Sequence, residues 1–83
     1  MIERRAGIKT TYHKSGKIVA RRLDWKPGEK QGSAWSNQYD DGLSSHHAAA
    51  LNLIERNGLD WELSPYCATF PDGSLVWVSM PKP

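Results

Sequence analysis

Apolar and polar residues alternate early in the chain. Ile8, Thr10 and Tyr12 fall on one side and Lys9 and Thr11 on the other, the period of two that marks a strand. His13-Lys14-Ser15-Gly16 forms the next turn, with Gly16 free to take a positive φ. Lys17 to Trp25 predicts a second strand, in which Val19, Leu23 and Trp25 share a face with Arg21 while Ile18, Ala20 and Arg22 take the other. The two strands form a hairpin. Lys26 to Ser33 is polar and rich in breakers, hence a loop. Ala34 to Tyr39 predicts a third strand, with Trp35, Asn37 and Tyr39 on one face and Asp40-Asp41-Gly42 ending it.

The period then changes to that of a helix. His47, Ala50, Leu51 and Ile54 stand at i, i+3, i+4 and i+7, one apolar stripe about three turns long. Ser44 or Ser45 is placed to cap the first turn. Asn57-Gly58-Leu59 has the form of a Schellman stop, with Gly in the left-handed conformation and the next apolar residue folded back. Asp60 to Leu63 is short and extended, and Pro65 interrupts it. Tyr66 to Phe70 and Ser74 to Met80 are joined by Pro71-Asp72-Gly73, a hairpin turn. In the last strand Leu75 and Trp77 share one face, and Val76, Val78 and Met80 the other. A strand apolar on both faces is central, or has one face covered by something other than its own helix. Pro81-Lys82-Pro83 cannot continue a ladder. The order is ββ(β)αββ: an α+β fold with an antiparallel sheet of four to five strands and one helix packed on it.

Eighty-three residues make one domain, 1–83, with Met1 to Gly7 as a charged arm or an edge. Four Trp, three Tyr and one Phe concentrate the apolar content in large side chains, enough for one thin core. No apolar run approaches the roughly 20 residues that span a bilayer, and no signal-peptide pattern opens the chain. Cys67 has no second cysteine to pair with. A disulfide-stapled secreted miniprotein is excluded, and a reducing cytosol is the expected setting.

Candidate chemistry is sparse. His46 and His47 are adjacent, so on a helix they point about 100° apart and cannot chelate one ion together. His13 and Cys67 are the other soft ligands, without a recognised metal spacing. The expectation is that His47 begins the buried stripe and His46 faces water, with no metal and no cofactor. No nucleophile elbow, P-loop or dinucleotide fingerprint occurs, and so small a domain has little volume for a substrate pocket. No enzymatic activity is expected, and no catalytic residue is assigned.

Charge changes the picture. The net +2 conceals nine basic against four acidic residues in the first forty positions, and two against five in the rest. Such a field steers acidic partners toward the first half. The cations there are interleaved with rings, and Lys17, Arg21, Arg22, Trp25, Lys26, Lys30, Trp35 and Tyr39 form the candidate partner-binding set. Four tryptophans exceed what one sheet–helix interface can bury. Trp61 and Trp77 fit the core, whereas Trp25 and Trp35 are expected at the surface, where Trp, Tyr and Arg anchor interfaces. The same hairpin can meet phosphates with its cations and stack on bases with its rings. Asp41, Glu55, Asp60 and Glu62 offer an opposite use, as phosphate mimics. The chain is a monomer, or a homodimer joined through the Leu75–Trp77 face.

Ile8-Lys9-Thr10-Thr11-Tyr12, Tyr39-Asp40-Asp41, Ser45-His46-His47-Ala48-Ala49-Ala50-Leu51, Gly58-Leu59 and Pro71-Asp72-Gly73-Ser74-Leu75-Val76-Trp77-Val78 together resemble the layout of small phage and plasmid accessory proteins. The build is similar to that of some anti-CRISPR proteins. The resemblance covers most of the chain as a pattern and transfers no functional residue. It implies a mobile-element protein of the host bacterial cytosol that occludes a host protein or ribonucleoprotein complex. The alternative is a small DNA- or RNA-binding accessory protein that uses the N-terminal hairpin.

Overall fold

A computed structural model describes residues 2–39 and 41–80. It contains β1 (Gly7–Tyr12), β2 (Lys17–Arg22), β3 (Gly32–Trp35), α1 (Gly42–Arg56), β4 (Glu62–Thr69) and β5 (Leu75–Met80). The five strands make one antiparallel sheet in the order β3-β2-β1-β5-β4, an α+β fold with the third strand present. The first strand is the central one, because both hairpins are built onto it. Ile8 pairs with Arg22 on one side and Trp77 on the other, which aligns the inward residues of three strands.

The core lies between one sheet face and α1. Ile8, Ile18, Ala20, Ala34, Leu75 and Trp77 come from the sheet, and Ala49, Ala50, Leu53 and Ile54 from the helix. The small residues set how closely the helix approaches. At Gly32 an added Cβ would stand 2.3 Å from both the Ala49 carbonyl oxygen and the Leu53 nitrogen. Helix side chains then occupy the outer edge of the sheet there. Asn52 Oδ1 accepts from the Ser33 N–H (3.0 Å) and Arg56 donates to the Gln31 carbonyl (2.6 Å). Asn57 both accepts from the Lys30 N–H (2.9 Å) and donates to its carbonyl (2.8 Å). An edge whose polar groups are satisfied in this way no longer templates another strand.

Turns and the helix stop match the sequence closely. Gly16 and Gly73 have φ of 89° and 88° in their hairpins. Past α1, the Leu59 N–H reaches the Ile54 carbonyl (3.0 Å) and the Gly58 N–H the Glu55 carbonyl (3.1 Å), with Gly58 at φ 62°. These are the two bonds of a Schellman motif.

Other boundaries move. β2 ends at Arg22, three residues short of Trp25, although the Leu23 N–H still bonds the Gly7 carbonyl. β3 begins two residues before Ala34 and stops at Trp35, because Gly32 and Ser33 are held by the helix while Ser36 to Tyr39 turn. The cap is neither Ser44 nor Ser45. Asp41 accepts from the Ser44 N–H (2.7 Å) and its hydroxyl (2.9 Å), and these bonds hold the carboxyl below its usual range. The helix therefore starts at Gly42. Its buried stripe is also rotated: Ser45, Ala49, Ala50, Leu53 and Ile54 are buried, whereas Leu51 is 44% exposed. The extended segments at 60–63 and 66–70 merge into one strand, β4, whose register shifts between Leu63 and Cys67 around Pro65. Ser64 fills that bulge, accepting from the Val78 N–H (3.1 Å) and donating to the Tyr66 carbonyl (2.7 Å). Expectations at Met1, Asp40 and Pro81-Lys82-Pro83 fall outside the described residues. Among the described residues no helix is long and apolar enough to cross a membrane.

Candidate functional site

Period-two alternation divides the sheet into a face under the helix and a face that no element covers. From the cross-strand register, the uncovered face carries Lys9 and Thr11 of β1, Lys17, Val19 and Arg21 of β2, Ser33 and Trp35 of β3, Val76, Val78 and Met80 of β5, and Glu62 and Ala68 of β4, with Glu62 opposite Met80. Val78 and Met80 are each 40% exposed and Trp35 is 55% exposed. The two-sided apolar pattern of β5 thus ends in an open surface.

Cations and rings are paired across this face. Lys9 and Arg21 are direct cross-strand partners. The Lys9 ammonium lies 4.8 Å from the centre of the Phe70 ring, and the Arg21 guanidinium 4.5 Å from that of Trp25. The result is a row across the sheet: Phe70, Lys9, Arg21, Trp25. Lys17 adds a third cation beside Trp35, its partner on β3. Asp72 touches Lys9 at 3.4 Å from the hairpin turn, and the Ser74 N–H and hydroxyl with Lys9 lower its pKa to about 2. Among the described residues neither Arg21 nor Lys17 forms an ion pair.

The structure brings together only part of the predicted set. Lys17, Arg21, Trp25 and Trp35 meet at the open face. Arg22 does not: alternation turns it to the helix side, where its side chain is 13% exposed. It bonds Asp24 (3.0 Å) and Glu29 (2.9 Å) and lies 4.9 Å from the centre of the Trp61 ring. Arg22 therefore holds the β2–β3 loop in place, and its bonds keep the Asp24 carboxyl below its ordinary value. Lys26 and Lys30 are exposed on that loop, and Tyr39 lies before α1 on the helix side. Trp61 packs against the core and Trp77 is buried, as expected. Burial of Leu75 and Trp77 under their own chain removes that face as a homodimer seam. The acidic set is divided among separate elements, with Asp41 used as the helix cap and Glu55 exposed on α1.

Sequence patterning counts Lys9 among the basic residues of the first half but not in the partner-binding set, and it leaves out Phe70 and the outer side of β5. Lys9 and Arg21 occupy positions that alternation places together once the hairpin register is known. Phe70 reaches them only through the pairing of β5 with β1.

Of the two histidines, His46 does not face water as expected. His46 turns inward, its Nδ1 2.8 Å from the Thr10 hydroxyl oxygen, which accepts the Trp77 indole N–H at 3.0 Å. Burial pushes the His46 pKa down. His47 meets the Trp77 ring edge-on at 4.9 Å and lines an apolar groove of about 470 Å³ with Tyr39, Leu43, Leu51, Cys67 and Trp77. The groove exists because α1 packs over β3, β2 and β1 and leaves the β4 side uncovered. Among the described residues no group of three or more His, Cys, Asp or Glu is placed to hold a metal ion.

In comparisons with known proteins, the chain matches no family model, no curated protein and no solved structure.

Proposed function

We propose that this is a non-enzymatic binding protein that docks through the open face of its sheet and occludes a host macromolecular complex. The observation that carries the reading is the uncovered face itself, which holds half-exposed Val78 and Met80 toward one end, Lys9 and Arg21 across its middle, and exposed Trp35 with Lys17 at the other end. Water-exposed apolar strand residues beside Arg and Trp are the composition of an interface centre rather than of a solvated sheet. Charge on Lys9, Lys17 and Arg21 speeds encounter with an acidic target, and the rigid sheet limits the ordering cost of docking. The target class, a nucleic-acid-dependent defence complex of a bacterial host, comes from the sequence resemblance to anti-CRISPR-like accessory proteins. A second reading, an accessory protein that binds free DNA or RNA, is favoured by the cation pair Lys9–Arg21.

Affinity purification of the tagged protein from a bacterial lysate, with and without nuclease, tests the reading. The expected result is one stoichiometric protein-containing complex, retained by Leu51→Ala and lost by Lys17→Glu with Trp35→Ala. Recovery of nucleic acid alone overturns occlusion of a complex in favour of the second reading. Loss of the complex in Leu51→Ala, with the open-face variant unaffected, moves the docking surface to the groove.

A further inference from the structure

We infer that the cationic row on the open face binds the phosphodiester backbone of single-stranded nucleic acid, with bases laid on the flanking rings. The inference rests on the open docking face proposed above and, following the second reading, names nucleic acid as the chemistry that the face takes.

The first support is an unfavourable pair. Lys9 and Arg21 stand directly opposite each other on adjacent strands, where like charges destabilise a sheet. Asp72 offsets Lys9 from one side at 3.4 Å, and no carboxylate among the described residues pairs with Arg21. Their charged ends turn apart, Lys9 to Phe70 and Asp72 and Arg21 to Trp25, and an anion lying across both strands offsets the remaining repulsion. Lys17 lies four residues from Arg21 along β2, about 13 Å at the rise of a strand, so the anion must be extended.

Rings decide which extended anion. The Lys9 ammonium lies over one face of the Phe70 ring and the Arg21 guanidinium over one face of the Trp25 ring, so the stacking surface is the opposite ring faces and the more exposed Trp35 beside Lys17. Every cation on the face therefore has an aromatic neighbour. Alternating charge and π-face matches a strand in which each phosphate is succeeded by a base, since bases stack on rings regardless of sequence. An acidic protein segment offers carboxylates but no regular succession of flat rings. A duplex offers phosphates with its base faces hidden. Val76 and Val78, next to the row on β5, supply apolar surface for further unstacked bases.

Fluorescence anisotropy with labelled oligo-dT and oligo-rU of about 15 nucleotides, a length in the range of sheet-based single-strand sites, is the test. Saturable binding is expected, tighter than to a duplex of equal length. A threefold rise in salt from about 50 mM weakens it about tenfold, the slope of three single-strand phosphate contacts. Arg21→Glu loses at least about tenfold in affinity while its melting temperature stays at or above that of the parent, because an acidic group there faces Lys9. Lys17→Glu and Trp35→Ala, both at exposed positions, each lose several-fold. Absence of saturable binding to either oligonucleotide, tighter binding to the duplex, or unchanged affinity in these variants overturns the inference. Where the oligonucleotides fail but Lys17→Glu with Trp35→Ala still abolishes capture of the complex, the docking face stands and its partner is protein.

Discussion

Thr10 shows how much one hydroxyl on the central strand controls. Its oxygen accepts from Trp77 and meets His46 Nδ1, so three buried or half-buried polar groups from three elements satisfy one another. The Trp77 indole can only donate, and the Thr10 oxygen, with two lone pairs and one proton, takes that bond while meeting His46 Nδ1 as donor or acceptor according to the imidazole tautomer. An imidazole held below its ordinary 6.5 by burial binds its proton more weakly in the fold than in the unfolded chain. The stability it contributes is complete above about pH 6.5 and declines as pH falls from there toward the folded pKa. Asp72, lowered from 3.8 to about 2, keeps its contribution until much more acid conditions. The urea midpoint is expected to drop between pH 7.5 and 5, and His46→Gln to flatten that dependence. An unchanged slope in the variant contradicts this assignment. Thr10→Val strands the indole N–H and costs roughly 1–3 kcal/mol at neutral pH by the same measurement. Sequence alone places Thr10 on the right face of β1, but it hides the inward turn of His46. A histidine pair on a helix can be rotated either way, and only the sheet beneath decides.

Among the elements, the helix and β3 behave as one unit. Gly32 lets the backbone of α1 lie on the strand, and Asn52, Arg56 and Asn57 complete the hydrogen bonds of residues 30–33. Gly32→Ala forces the two backbones apart, because the obstructing atoms are main-chain and cannot rotate away. A loss of about 1–3 kcal/mol is expected in denaturant unfolding, with faster amide exchange at Ser33 than at Thr10. A variant as stable as the parent contradicts the close contact. This coupling explains the misplaced boundaries of the third strand. Gly32 and Ser33 carry loop chemistry in sequence, and become a strand through tertiary bonds from a helix later in the chain. The two turns and the Schellman stop are legible because glycine conformation is a local property. The rotated helix stripe is not, since Leu51 fits the apolar period equally well but lies over the side that α1 leaves open.

Across the molecule, the sheet order places the helix off-centre and produces two unlike surfaces. One is the apolar groove between α1 and the β4 side, and the other is the open face with its row of cations and rings. Half of the predicted set, Lys17, Arg21, Trp25 and Trp35, reaches the open face, because period-two alternation is readable along β2 and the surface tryptophans have no core to enter. Arg22 leaves the set for the same reason, its neighbouring position carrying it under Trp61. Lys9 joins it through the register of the β1–β2 hairpin, and Phe70 through the long-range pairing of β5 with β1 that no local pattern announces. The open face, and not the groove, is thus the proposed binding surface. An amide chemical-shift map of the isotope-labelled protein titrated with oligo-dT distinguishes the two surfaces residue by residue. Shifts are expected to concentrate at Lys9, Thr11, Lys17, Val19, Arg21 and Val76, with Leu43, Leu51 and Cys67 unmoved. Shifts centred on the groove residues, or none at saturating oligonucleotide, would contradict that assignment.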